Sequence, residues 1–268
     1  MTTSESTTIQ NEIDRLTAEL FGKLPTNITP PPNAIDSLTS SQKKEVDLLQ
    51  KRTLSASWYK SLLPNKDIEH LMNDPVTYMR HLAHFGWNHP DTAFQKLKAM
   101  AEWRVKERPQ DYTFESLGHA PNSKLGSVYG FDKQYRPIIY IHLKNLGLEK
   151  NWDSKENMYL KYRLVVFTVE RALERMRMIH PNVYQFNFLI DCEGCPLSLS
   201  FAREAKDLFL QLGEYHVERL NASILVNCSW TISMVWSMVS YFLPEILVKR
   251  YNLFTKPATD PEVQKLIR

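Results

Sequence analysis

The chain has 268 residues, of which 43% are hydrophobic, 11% aromatic and 24% charged, the make-up of a protein that buries a real core. That excludes a wholly disordered or fibrous chain and leaves room for one large domain with an appendage, or two small ones. With 33 basic against 30 acidic side chains the net charge is +3, too near neutral to advertise a nucleic-acid binder.

The charge is unevenly spread: residues 1–50 hold four basic and seven acidic side chains, which leaves the remainder at +6. Three cysteines, Cys192, Cys195 and Cys228, make no disulfide framework. The N-terminus has neither a basic nor an apolar leader segment, position 2 is not Gly, and the last four residues encode no prenylation. A reducing cytoplasm is the expected setting. The uncharged run of 25 residues between Arg219 and Glu245 is formally long enough to span a bilayer as a helix. Its make-up argues otherwise. The stretch 222–226 is short and rich in β-branched residues, and Asn227, Ser229, Thr231, Ser233, Ser237 and Ser240 interrupt any apolar surface, so a strand followed by an apolar helix is expected.

Taken in order, residues 1–8 are Ser/Thr-rich and read as disordered. Ile9, Ile13, Leu16 and Leu20 recur at helical spacing, which predicts a short amphipathic helix that docks on the body or mediates self-association. Residues 25–41, with three consecutive prolines at 30–32, read as an extended linker. From 42 to 108 the pattern is helical. Asn88 is placed to cap a helix with Asp91 in its first turn, Ala93, Leu97, Met100 and Trp103 share one face, and Pro109 ends it near Arg108.

Strands and helices alternate after that. Strands are expected at 127–131 and 138–142 around a turn at 132–137, then at 184–190 and 222–226. Helices are expected at 158–179, carrying the stripe Val165, Val169, Ala172, Met176 and Ile179, and then at 198–212 and 232–243. This spacing implies an α/β fold with a mainly parallel sheet and flanking helices, preceded by a small helical unit. The expected divisions are 1–41, 42–112, 120–255 and a short tail at 256–268.

Catalytic signatures are missing. The sequence has no P-loop, G-x-G-x-x-G, G-x-S-x-G or H-E-x-x-H pattern, and no nucleophile–base pair or metal set can be assembled from it. No catalytic residue, metal or cofactor is therefore expected. The C-x-x-C at Cys192–Cys195 reads as two thiols in a turn, since nothing completes a zinc site and Gly194 does not suit a redox helix start. Arg163, Arg171, Arg175 and Arg177 beside Glu170 and Glu174 read as a solvated helix face, with Arg171 and Glu174 paired at i,i+3. Their mixed signs weaken the alternative of a cationic face for anionic lipid.

Several stretches, in order, resemble the CRAL-TRIO lipid-binding family across residues 42–255. Tyr78-Met79-Arg80-His81-Leu82 to Trp87, then Ala93 to Trp103-Arg104, is similar to its helical "LLRFL…W…WR" region. Gly130-Phe131-Asp132 with Arg136-Pro137-Ile138-Ile139-Tyr140 resembles its "D..GRPV.Y" hairpin, with Tyr135 where Gly is usual. Leu189-Ile190-Asp191 with Gly194 resembles the central strand, Tyr215 to Leu220 resembles "YPERL", and Trp230 to Pro244 resembles the helix that gates the cavity.

The resemblance implies a cytoplasmic, peripherally membrane-associated protein that binds and transfers lipid without covalent chemistry. Its partners would be a phospholipid ligand and, transiently, a membrane surface; protein partners are not indicated, and nucleic acid is not among them. Phe186, Phe188 and Ile190 are the implied sheet-side lining of an apolar cavity. Trp230, Val235, Trp236, Val239 and Phe242 are the implied gate, where Trp236 suits a membrane interface. Glu218, Lys249 and Arg80 stand at the positions that hold an inositol headgroup in phosphatidylinositol-binding members, although Ala83 replaces the second arginine of that motif. Phe186 and Phe188 occupy the hydroxyl positions of choline-lipid binders, so phosphatidylinositol, with a sterol or other hydrophobic ligand besides, is the expected cargo. The alternative is a sensor or interaction module that holds one ligand without transferring it.

Overall fold

A computed structural model describes residues 31–63, 65–113, 115–117, 127–146, 155–180, 182–195 and 199–267. The expected disordered start and amphipathic helix at 9–20 lie outside these residues.

The helical unit begins where the sequence supplies caps. Helix α1 (Ser40–Ser55) opens on a capping box, with Thr39 and Gln42 each accepting from the other's backbone N–H. After α2 (Ser57–Leu62), the Asn65 side chain caps α3 (Lys66–Asn73) and Asp74 caps α4 (Pro75–Phe85), which has Pro at its first position. Helix α5 (Pro90–Glu107) starts one residue later than the Asn88 cap expected: His89 is its N-cap, without a side-chain hydrogen bond. Pro90 contributes no N–H there, so less is left for a cap to satisfy. Arg108 closes the helix in the left-handed conformation ahead of Pro109, as the chain stop at proline required. Ile68, Met72, Tyr78, Leu82 and Leu97 are fully buried between these helices.

Strands β1 (Ser127–Phe131) and β2 (Pro137–His142) form an antiparallel hairpin. Its turn places Tyr135 at φ 60, the left-handed region that explains why Gly is usual there. A short helix α6 (Leu143–Leu146) follows, then α7 (Lys155–Ile179), β3 (Phe186–Asp191), α8 (Leu199–Tyr215) and β4 (Leu220–Val226). Helices α9 (Trp230–Ser240) and α10 (Glu245–Val248) lead to β5 (Tyr251–Leu253), and α11 (Pro261–Ile267) ends the fold. The five strands lie in chain order, β2 through β5 parallel, with Ile139 opposite Phe188 and Leu189 opposite Ile224.

Strand β3 is central and buried on both faces, which is why its residues read as a continuous apolar run. On one face Phe186, Phe188 and Ile190 pack with the α7 stripe of Val165, Val169, Ala172 and Met176. On the other, Ile138, Leu189, Ile224 and Val226 pack against Val263 and Ile267 of α11. The segment expected as a short tail is therefore a helix that seals the second face of the sheet. No helix among the described residues is long and apolar enough to cross a membrane. The Cys192–Cys195 stretch is the turn expected, closed by the Cys195 N–H on the Cys192 carbonyl with Gly194 at φ 64.

The charged face of α7 departs from the expectation. Arg171 and Glu174 do pair at 2.8 Å in solvent, but Glu170 is buried. It accepts from both terminal guanidinium nitrogens of Arg104 at 2.9 Å, and Arg104 turns its Nε edge to Asp67. This fork ties α3, α5 and α7 together and is a charge-assisted pairing of the strong, bidentate kind. Trp103 stacks on Tyr215 beside it, with ring centroids 4.5 Å apart and planes 5° from parallel. The helical unit and the sheet are joined by these contacts.

Candidate ligand cavity

A cavity of about 380 Å³ opens between the start of β3, the C-terminal half of α8 and the α10 segment. Phe186 and Phe188 form its sheet wall, Phe209 and Leu212 its α8 wall, and Ile246, Leu247 and Tyr251 the side under α10. The Phe186 and Phe188 rings lie edge to face, with centroids 5.1 Å apart. Ile190, expected as a third lining residue, is instead packed in the core under α7 and does not reach the cavity.

The polar side chains gather at one part of the wall: His84, Lys96, Glu214, His216, Glu218 and Arg250. Glu218 joins two of them. Its Oε1 accepts from His84 Nδ1 at 2.7 Å, and its Oε2 accepts from Arg250 Nη2. Arg250 also donates to the Leu220 carbonyl at 2.7 Å, which fixes the guanidinium relative to β4. Burial works to raise the Glu218 carboxyl pKa, but the hydrogen bonds from His84 and Arg250 and the Arg250 charge outweigh it and hold it low. Glu218 is an anion in this site. Its backbone is in the left-handed region at φ 55, a conformation costing about 1 kcal/mol in a non-glycine residue.

The three expected headgroup residues are not brought together. Arg80 sits behind the wall, buried, donating to the Val217 carbonyl and to Thr77 Oγ1, so it braces the chain next to Glu218. Burial pulls its pKa down to about 10, which leaves it a cation. Lys249 points away: its side chain is 73% exposed and pairs with Glu245 at 2.6 Å. The expected Glu218–Lys249 pair is thus replaced by Glu218–Arg250, because Arg250 is the residue that leads directly into β5 and faces the sheet. His84 was also missed, though it stands four residues after Arg80 on the same face of α4.

The expected gate is a cover built in two parts. Val239 is buried, and Val235 and Trp236 pack with it and with Phe209, Leu247 and Val248 against α8. Trp236 stacks at a tilt on Tyr251, centroids 4.6 Å apart. None of the five expected gate residues lines the cavity; the lining on this side comes from Pro244, Ile246, Leu247 and Tyr251. The outer face is apolar. Trp230 is 74% exposed, Tyr241 85% and Phe242 62%, with Met234, Met238 and Ile246 exposed beside them. Monomeric surfaces seldom carry so many large apolar side chains together without a use for them. Among the described residues no group of His, Cys, Asp and Glu is arranged to hold a metal ion.

A mainly parallel α/β sheet with a half-open, largely apolar cavity, an ion-paired corner and a helical cover is the architecture of a lipid-binding class of domain. The chain belongs to the CRAL/TRIO domain family, whose family model matches residues 122–268. Among curated proteins it is similar to Patellin-6 of Arabidopsis thaliana, 24% identical over 185 residues that cover 66% of this chain and 44% of that protein. The chain therefore spans less than half the length of that relative. Among solved structures it is similar to the crystal structure of Sfh5, with a TM-score of 0.64 and 15% identity over 82% of each chain. That likeness establishes the fold.

Proposed function

We propose that the protein takes up an inositol phospholipid, carries it with its headgroup at the Glu218–Arg250–His84 corner, and releases it at a membrane by binding steps alone. The observation that supports this reading is the pairing of an apolar cavity with an ionised, hydrogen-bonded carboxylate–guanidinium corner. An inositol headgroup brings a phosphate monoanion and a ring of hydroxyl donors. Arg250 can serve the phosphate and Glu218 can accept from ring hydroxyls, each by a charge-assisted hydrogen bond. The acyl chains belong against Phe186, Phe188, Phe209 and Leu212.

The cavity is at the lower end of the ~300–1,000 Å³ range of small-molecule sites, so a two-chain lipid requires the α9–α10 cover to move. The exposed row of Trp230, Tyr241 and Phe242 suits that step, because an aromatic face held in water becomes favourable at a lipid interface. A cytoplasmic protein that visits membranes transiently fits this cover. Transfer of labelled phosphatidylinositol between donor and acceptor vesicles tests the proposal: catalysed transfer supports it, and none for any lipid refutes transfer. The small volume of the cavity also favours a second reading, a module that retains one ligand. A bound lipid that fails to exchange on contact with vesicles identifies that case.

A further inference from the structure

His216, in the turn between α8 and β4, lines the cavity and is 6% exposed. Its Nε2 lies 2.9 Å from Glu170 Oε1, and a carboxylate oxygen only accepts, so Nε2 carries the hydrogen of that contact. Burial holds the imidazole below its ordinary pKa in spite of Glu170, so the ring is neutral and Nδ1 is a bare acceptor. That nitrogen is buried, and no group among the described residues donates to it. Of the described residues that line the cavity, His216 alone has a buried side-chain nitrogen or oxygen in this condition. The charged donors of the neighbouring elements are directed elsewhere. Arg104 gives both terminal nitrogens to Glu170, Lys96 is bonded to Glu214, and Arg250 to Glu218 and the Leu220 carbonyl. Trp103 meets the ring edge to face with centroids 5.6 Å apart, and Glu170 is clamped by Arg104, so the ring is oriented before any ligand arrives.

We propose that His216 is a specificity-determining residue: its Nδ1 accepts a hydrogen bond from a hydroxyl of the bound lipid, so the cavity selects ligands that carry a hydroxyl at their polar end. This rests on the reading above that the cavity takes up a lipid, and adds which polar group that lipid must present. Two residues on, Glu218 offers the same wall another acceptor, because an ionised carboxylate accepts and cannot donate. A hydroxyl answers such a wall; an ether or ester oxygen has no hydrogen to give. A buried acceptor left unanswered is costly, so a site of this kind discriminates steeply against a ligand that lacks the donor. The hydroxyl can come from an inositol ring or from a sterol, and experiment separates the two sources.

The test uses the full chain and two pairs of ligands presented in vesicles. Phosphatidylinositol and phosphatidylmethanol share the acyl chains and the phosphodiester charge, but only the first has hydroxyls. Cholesterol and its methyl ether differ by the one hydroxyl hydrogen. The wild type is expected to prefer the hydroxyl-bearing member of at least one pair by about tenfold. His216→Gln keeps an amide donor within reach of Glu170 but takes the acceptor from the Nδ1 position, and is expected to cut that preference about fivefold or more. His216→Asn puts an amide oxygen near the Nδ1 position and gives up Glu170, so it should keep the preference while melting at a lower temperature. A purely structural histidine gives the reverse, with selectivity following stability. Nitrogen NMR of the histidine rings needs no variant: the hydroxyl-bearing ligand should shift the bare Nδ1 signal and its partner should not. A His216-dependent preference in the inositol pair supports this inference and the headgroup reading together. The same preference in the sterol pair alone supports this inference and removes the inositol reading. Lipid bound without a His216-dependent preference, or with the Nδ1 signal unmoved, overturns this inference alone, and failure to bind any of the four lipids overturns both.

Discussion

His84 and Glu218 stand 134 positions apart in the chain and 2.7 Å apart in the structure. The contact joins the helical unit to the sheet at the polar corner of the cavity, so the site is completed by both parts. Glu218 is also bonded to Arg250 across 32 positions, and these two contacts make the carboxylate the hub of the corner.

Headgroup binding should follow that hub. Glu218→Ala and Arg250→Ala are each expected to weaken phosphatidylinositol binding by about 1–3 kcal/mol, the scale of a lost charged hydrogen bond. Lys249→Ala should leave it unchanged, since its ammonium is in solvent with Glu245. Titration of labelled phosphatidylinositol against the three variants checks this, and an effect confined to Lys249→Ala would return the role to that residue.

The cover separates docking from stability. Phe242→Asp places a carboxylate on the exposed apolar face and should reduce vesicle binding with little change in melting temperature. Trp236→Asp should instead lower the melting temperature, because Trp236 packs against Phe209 and Tyr251. Cosedimentation with vesicles and thermal scans distinguish the two outcomes.

The Arg104–Glu170 fork should be costly to break. Glu170→Ala leaves a buried guanidinium with Asp67 alone and strands His216, and removing one partner of a buried pair costs about 3–5 kcal/mol. Urea denaturation checks the loss. A variant as stable as the wild type would mean that water replaces Glu170 without cost.

Acid should destabilise the fold through His81. Its ring is buried beside Arg80 with no hydrogen-bond partner for Nε2 among the described residues, and its pKa is pulled to about 3 against 6.5 for a free imidazole. The unfolded chain therefore binds a proton that the folded chain refuses, and stability falls as pH drops below 6.5 toward 3. The expected loss from this group is about 2–3 kcal/mol by pH 4.5. His81→Phe, which restores the aromatic residue of the "LLRFL" motif, should reduce that dependence in melting scans from pH 7.5 to 4.5. An unchanged pH dependence would assign the acid sensitivity to other groups.

The order of strands and helices was legible because its signals are local and periodic: the α7 stripe, the apolar run of β3, and the proline after Arg108 are each written in a short stretch. The packing of α11 was not, because a seven-residue helix carries too little periodicity to reveal that Val263 and Ile267 are buried. Glu170 was misread for a related reason. Its charge suits a solvated face, and only the fold brings Arg104, 66 positions away, against it. In the cavity, motif position identified Glu218, Phe186 and Phe188, yet selected Lys249 over its neighbour. Which of two adjacent cations faces the sheet depends on where α10 gives way to β5, a boundary that sequence locates only to within a residue or two.

Native mass spectrometry of the protein after incubation with mixed vesicles of phosphatidylinositol, phosphatidylcholine and a sterol tests the central claim most directly. The account predicts one phosphatidylinositol per chain in the wild type, with that species depleted in Glu218→Ala and Arg250→Ala but retained in Lys249→Ala. A wild type that carries phosphatidylcholine in preference, or no lipid at all, would contradict it.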